Sequence, residues 1–183
     1  MRIVTQINDE DYIAFNKAVH FKSDEGRKSF NKYVILYSIL LGLGICCFLL
    51  NLMALGLTKS SDYSQLLPFI VVIGYFVFAL VTLKSRAEKR IRKKVESYRR
   101  QGQILYDSES TIDLTDEMIM EYTPKSTTRR EWRDVKAVIM DEGHYYLMYG
   151  PMQGLIVPFR CLGEETNTFL PYVLQRTGLG VIK

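Results

Sequence analysis

Two uncharged apolar runs constrain the fold of this chain more than any other feature. They cover residues 33–57 and 66–83, which are 25 and 18 residues long. At about 1.5 Å per residue, helices of these lengths reach roughly 37 and 27 Å, compared with about 30 Å for the hydrocarbon core of a bilayer. Helices that are apolar on every side cannot both be buried inside a protein of 183 residues. We therefore predict two transmembrane helices that form a hairpin.

The distribution of charge predicts the orientation of this hairpin. The net charge is +7 over residues 84–100 and −4 over residues 101–183. Three more basic residues precede the first run, namely Arg27, Lys28 and Lys32. The predicted connection carries only Lys59, which Asp62 balances. Cytoplasmic flanks are enriched in Lys and Arg, so both chain ends are expected to be cytoplasmic.

The basic residues after the second run predict a helical stalk over residues 84–102. Ala87, Ile91, Val95 and Tyr98 form a narrow apolar stripe at helical spacing, and cations cover the other faces. Two interpretations remain open, a solvated stalk or a contact with anionic lipid headgroups. The candidate lipid contacts are Lys84, Arg86, Lys89, Arg90, Arg92, Lys93, Lys94, Arg99 and Arg100.

Polar and small residues inside the runs predict helix packing and offer no ion path. Neither run contains Asp, Glu, Lys, Arg or His, the usual marks of a transport pathway. Gly42, Cys46 and Asn51 are the candidate helix–helix contacts, within the chain or in a homo-oligomer. Three cysteines without a CxxC pair predict neither a disulfide framework nor a zinc site.

Residues 103–183 change to a strand-like pattern. Apolar and polar residues alternate in "STIDL", "EMIMEY", "HYYLMY" and "GLIVPF", with mixed alternation in "TTRREWRDV" and "KAVIMD" between them. Residues 164–176 follow as a helix with an apolar face. The pattern predicts a small antiparallel half-barrel closed by a C-terminal helix. Residues 1–32 hold a strand, "RIVTQI", and a short helix, and the strand is expected to join the C-terminal sheet.

The C-terminal pattern resembles the YcxB-like family of small bacterial membrane proteins. The resemblance lies in "STIDLTDEMIMEY", "EWRDVKAVIMDEGHYYLMY" and "LIVPFR", where Trp132, Tyr145, Tyr146, Pro158 and Arg160 occupy the family positions. Phe159 replaces the usual lysine. The resemblance covers roughly residues 104–175 and implies a pleckstrin-homology-like (PH-like) domain, but no activity.

Candidate chemistry in this domain is sparse. His144 follows Asp141 and Glu142, which predicts a turn-flanking histidine near solvated carboxylates; no third residue completes a metal site. Arg129, Arg130, Trp132 and Arg133 could form a patch for a phosphate headgroup or an acidic partner. Alternatively, Trp132 anchors the core while the arginines face solvent.

These observations predict a non-enzymatic protein of the bacterial plasma membrane, without a cofactor. Its two spans would tether a cytoplasmic β-rich interaction or regulatory module that recruits a protein partner. An accessory subunit or oligomeric transporter component, and a sensor of anionic lipid, are the alternatives. Nucleic acid is not expected as a partner, because the largest folded part is acidic.

Overall fold

The computed structural model describes residues 1–58, 63–102 and 109–183. Strand β1 (Arg2–Thr5) and helix α1 (Asp9–Phe21) precede two long helices, α2 (Asp24–Thr58) and α3 (Leu67–Arg100). Both long helices contain stretches long and apolar enough to cross a membrane. Helix α3 continues from the apolar run to Arg100 and so includes residues 84–100 of the predicted stalk. Lys59 and Asp62 lie outside the described residues.

The chain divides into two compact units. One unit joins Met1–Arg27 to Ile91–Lys183, and the other is the hairpin Lys28–Arg90. We call the first unit the sheet domain. The hairpin is therefore an insertion between β1 and the remaining strands of one domain.

The sheet domain contains two four-stranded sheets. After α3 come β2 (Ser110–Leu114), β3 (Met118–Tyr122), β4 (Thr127–Glu131), β5 (Ala137–Met140), β6 (His144–Gly150), β7 (Gln153–Pro158), α4 (Thr166–Thr177) and β8 (Val181–Ile182). The strand orders are β1-β2-β3-β4 and β7-β6-β5-β8. β1 pairs antiparallel with β2, with Ile3 opposite Ile112. The predicted pairing of the N-terminal strand with the C-terminal sheet is thus confirmed. β8 is a two-residue strand parallel to β5.

The core of the sheet domain lies between the inner faces of the strands and helix α4. β2 shows why: its burial alternates along the strand, with Ser110, Ile112 and Leu114 directed inward. Phe169 and Val173 of α4 are fully buried in the same cluster. A second cluster packs Phe15 and Val19 of α1 against β5 and β6. The segment before the hairpin is thus part of the domain core.

The two helices of the hairpin contact each other along a seam with alternating spacings of three and four residues. On α2 the less exposed positions are Val34, Tyr37, Leu41, Gly44, Phe48, Asn51 and Leu55. A Cβ on Gly44 would lie 3.6 Å from Ile73 of α3, and the rings of Tyr37 and Phe76 lie 6.2 Å apart. This is the period of an apolar heptad seam.

Two of the three predicted helix contacts lie outside this seam, and their contact in a homo-oligomer stays a prediction. Gly42 and Cys46 are exposed, and nothing lies within 4 Å of a Cβ built on Gly42. Each residue turns a helix by about 100°, so these positions point away from the seam that Leu41 and Gly44 define. Asn51 does lie on the seam, and its amide donates to the Cys47 carbonyl of its own helix at 3.0 Å.

Gly26, at the start of α2, packs directly against the end of α1. A Cβ there would lie 2.1 Å from the carbonyl oxygen of Val19 and 2.7 Å from that of His20. Both atoms belong to the backbone, so rotation of a side chain cannot relieve the contact. We expect Gly26→Ala to destabilise the sheet domain by about 1–3 kcal/mol, although alanine ordinarily favours a helix by about 1 kcal/mol over glycine.

Thermal unfolding in detergent measures this effect. Gly180→Ala is the control, since an added Cβ there meets nothing within 4 Å. Equal unfolding midpoints for the two variants would show that the α1–α2 junction tolerates a side chain.

Candidate functional site

A densely connected polar cluster of the sheet domain centres on Asp11, in the first turn of α1. Asn8 caps this helix: its side-chain oxygen accepts from the Asp11 N–H, and the Asp11 carboxylate accepts from the Asn8 N–H at 2.8 Å. Such a capping box satisfies two backbone donors at a helix start. The Asp11 side chain is only 3% exposed, so its charge requires further donors inside the domain.

Arg160 and His144 supply those donors from distant parts of the chain. Arg160 donates to both carboxylate oxygens of Asp11, at 2.6 and 2.5 Å, and also to the Gln6 carbonyl at 3.0 Å. His144 Nε2 lies 2.9 Å from Asp11 Oδ1. A bidentate guanidinium–carboxylate pair of this kind fixes geometry as well as charge.

Asp141 completes the cluster from the turn between β5 and β6. Its Oδ1 accepts from the Gly143 N–H at 2.9 Å and lies 3.0 Å from His144 Nδ1. The Tyr146 hydroxyl donates to its Oδ2 at 2.5 Å. The imidazole of His144 stacks on the ring of Tyr146, with centroids 5.6 Å apart. The cluster therefore consists of Asp11, Asp141, His144, Tyr146 and Arg160.

The charged groups of the cluster shift one another's pKa values. Burial alone would raise the pKa of Asp11, but hydrogen bonds from Arg160, His144 and Asn8 lower it to about 2. Burial also tends to raise the pKa of Asp141, but hydrogen bonds from His144 and Tyr146 outweigh burial and lower it. Burial lowers the pKa of His144, but its hydrogen bonds to Asp141 and Asp11 outweigh this and raise it. The two carboxylates therefore favour the protonated form of the imidazole more than water does.

This arrangement can bind α1 to the sheet and hold a proton. Within the described ranges, every fully buried side-chain nitrogen or oxygen has a partner. Across the same residues, no group of three or more His, Cys, Asp and Glu side chains is placed to hold a metal ion. We therefore interpret the cluster as a polar connection between elements.

The stretch from the end of β2 to the first residues of α4, residues 114–170, matches the family model described as YcxB-like protein. It is a YcxB-like segment. The predicted resemblance to this family is confirmed. No curated protein and no solved structure matches the chain.

The YcxB-like segment contains four of the five cluster residues, but the cluster is incomplete without Asp11. Asp141, His144, Tyr146 and Arg160 lie within residues 114–170, whereas Asp11 lies before the hairpin. The prediction for His144 needs one addition: Glu142 is exposed as expected, but the carboxylates that contact the imidazole, Asp141 and Asp11, are only 21% and 3% exposed.

Sequence reasoning missed Asp11, although a signal was present. The apolar face of α1 carries Phe15 and Val19, and Asp11 lies four residues before Phe15 on that same face. A carboxylate on the buried face of a helix requires a cation. The pattern therefore indicated a buried ion pair, but it could not indicate that the partners lie 133 and 149 residues away.

The predicted arginine–tryptophan patch is not a continuous surface. Trp132 is 6% exposed, lies in the core cluster, and donates through Nε1 to the Thr115 carbonyl at 3.0 Å. Arg130 stacks over the ring of Tyr149 at 4.4 Å, while Arg133 pairs with Glu131 at the surface. A short 3-10 turn, Trp132–Asp134, ends the strand and directs the indole inward. Trp132 is thus a core anchor and no platform for a ligand.

The basic residues of the stalk divide into two groups. Lys84, Arg86, Lys89 and Arg90 lie within seven residues of the end of the apolar run, about 10 Å along the helix axis, which is close to a Debye length. Arg92 pairs with Glu10 through two hydrogen bonds, and Arg99 pairs with Asp9. The other distal residues, Lys93, Lys94 and Arg100, are exposed. Of these residues, the first group alone lies within about a Debye length of the end of the apolar run.

Proposed function

We propose that this chain is a membrane-anchored, non-enzymatic interaction module whose sheet domain recruits or regulates a protein partner at the cytoplasmic face. The observation that carries the proposal is the chain order of the units. Met1–Arg27 and Ile91–Lys183 form one folded unit, and the two apolar helices are inserted between them. A hairpin whose two ends enter one domain tethers that domain to the bilayer at two points.

The insertion also supports the proposed topology. If α2 and α3 both span the bilayer, the two ends of the hairpin lie on one side of it, because one domain is built from both. β1 pairs with β2 over four residues, and Arg160 is bonded to Asp11 across the insertion. The basic residues on both flanks favour the cytoplasm for that side. Two sheets with a C-terminal helix fit the PH-like architecture that the family resemblance implies.

Proximity labelling in cells tests the recruitment. A labelling enzyme is fused after Lys183 in the wild type and in two variants that receive the same new charge. Val138→Asp places a carboxylate in the core, where Val138 is fully buried, and Val4→Asp places it where the side chain is 51% exposed. A charge buried without a partner unfolds a domain of ordinary stability.

We expect a reproducible partner in the wild type and in Val4→Asp that is lost in Val138→Asp at equal membrane abundance. Identical labelling in all three would contradict recruitment by the sheet domain. Substrate turnover by the purified chain that a point mutation abolishes would contradict the non-enzymatic assignment. The alternatives, an oligomeric accessory subunit and a lipid sensor acting through the first turns of the stalk, stay predictions.

A further inference from the structure

The contacts of His144 differ from those of an ordinary surface histidine, because both ring nitrogens face carboxylate oxygens. Nε2 lies 2.9 Å from Asp11 and Nδ1 lies 3.0 Å from Asp141. An ionised carboxylate only accepts hydrogen bonds, and a neutral imidazole carries one N–H. Both contacts are therefore hydrogen bonds only when His144 is protonated. When it is neutral, one nitrogen lone pair faces a carboxylate oxygen, and that contact becomes repulsive.

The two carboxylates belong to different parts of the chain, so the charge on His144 controls a connection between elements. Asp11 is on α1, before the hairpin, and Asp141 is in the turn leading to β6. α1 is followed after only Lys22 and Ser23 by α2, the first long apolar helix. Through Asp11 the cluster therefore includes the segment that precedes the hairpin in the chain.

We propose that Asp11, His144 and Asp141 form a pH-sensitive latch, which holds α1 on the sheet domain tightly when His144 is protonated and loosely when it is neutral. This latch goes beyond the proposed function and does not depend on whether the domain recruits a partner. We use the name latch for these three residues.

The other groups around the latch set its direction and its limits. Arg160 holds Asp11 at any pH near neutrality, so the neutral state loosens α1 without releasing it. Tyr146 donates to Asp141 and stays protonated, since its pKa is raised by burial and by the nearby carboxylate. Glu142, in the same turn, is exposed. Lys22 adds a fixed connection through its hydrogen bond to the Met140 carbonyl at 2.8 Å.

The sign of the pH dependence follows from the raised pKa of His144. A group whose pKa is higher in the folded state stabilises that state most when it is protonated. For His144 this stabilisation is complete at pH values below the ordinary histidine pKa, near 6.5. It is lost as the pH rises through the higher pKa of the folded state. Because the pKa of Asp11 is lowered to about 2, its carboxylate is neutralised, and its ion pairs are lost, only at strongly acidic pH. The latch therefore tightens as the pH falls from 8 to 6.

Hydrogen–deuterium exchange of the full chain in detergent micelles tests the latch at pH 6 and pH 8. The readout is the protection of the α1 amides, corrected for intrinsic exchange and divided by that of α4, which belongs to the same domain but lies outside the cluster. We expect this ratio to be higher at pH 6 than at pH 8, since protonation of His144 is linked to the closed position of α1.

Two variants identify the responsible group. His144→Gln has no titratable ring, so we expect the ratio to become equal at the two pH values. His20→Gln removes the other histidine of the chain and should retain the wild-type difference. An unchanged ratio in the wild type, or an undiminished difference in His144→Gln, overturns the latch.

Histidine NMR of the wild type keeps the test independent of how well His144→Gln folds. The His20→Gln spectrum assigns the two imidazoles. The latch requires His144 to be charged at pH 6 and to lose its proton above the ordinary histidine range. A neutral His144 at pH 6 overturns it.

Discussion

Replacement of Arg160 with alanine is expected to lower the free energy of unfolding of the sheet domain by about 2–4 kcal/mol. The reason is that Asp11 is much more deeply buried than Arg160. Asp11 is 3% exposed, so the variant leaves a buried carboxylate without its two guanidinium donors. Arg160 itself is 49% exposed, so its own removal costs little hydrophobic burial. Denaturant unfolding in detergent, followed by the fluorescence of Trp132, measures the change.

Arg176→Ala is the matched control for Arg160→Ala. Arg176 also pairs with an aspartate, but Asp116 is 75% exposed, and exposed ion pairs contribute only about 0–1 kcal/mol. The double variant Asp11→Ala/Arg160→Ala should be less destabilised than the sum of its single variants, because no unpaired charge remains. Equal losses for Arg160→Ala and Arg176→Ala would show that the Asp11 carboxylate does not depend on its cation.

The sequence pattern was sufficient wherever a structural element depends on local periodicity. Runs without charge predicted α2 and α3, because a helix needs only its own residues to satisfy its backbone. Alternation predicted β2, β3, β6 and β7, since one face of each strand is buried. The expected pairing of the N-terminal strand with the C-terminal sheet is also confirmed, at the register of Ile3 with Ile112.

The sequence did not indicate contacts that depend on geometry which periodicity does not encode. The small residues Gly42 and Cys46 suggested one helix face, but larger side chains such as Leu41 and Phe48 place the seam on another. A spacing of four residues is met on every face of a helix, so it cannot select one. The partners of Asp11 were hidden for a related reason, since the insertion of the hairpin separates residues that the fold brings together.

Trp132 shows the same limit within a single short segment. Continued alternation from β4 would place its indole beside Arg130 and Asp134, which left the surface patch open beside the core anchor. The structure ends β4 at Glu131 and turns the chain through Trp132–Asp134. This turn changes the direction of every side chain after the strand, and no propensity at these residues signals it strongly.

Trp132→Ala is expected to destabilise the sheet domain by about 3–5 kcal/mol, the usual cost of deleting a large buried aromatic side chain. The indole packs edge-on against Tyr172 with ring centroids 5.8 Å apart, and its N–H satisfies the Thr115 carbonyl. Trp132→Phe keeps most of the packing but loses that hydrogen bond, so a smaller loss of about 1–2 kcal/mol is expected. Unfolding is followed by far-UV circular dichroism, because Trp132 is the only tryptophan.

Arg129→Ala and Arg133→Ala test whether these arginines and Trp132 form a binding patch or whether Trp132 serves only as a core anchor. Both side chains are exposed, and substitutions at such positions change stability by no more than about 0.5 kcal/mol. If Trp132→Ala left stability unchanged and all three variants lost the same partner in proximity labelling, Arg129, Trp132 and Arg133 would act as one binding surface. If only Trp132→Ala unfolds the domain, any partner lost with it is lost through the fold. In that case Arg129 and Arg133 belong to a binding site only if Arg129→Ala and Arg133→Ala themselves reduce labelling of the partner.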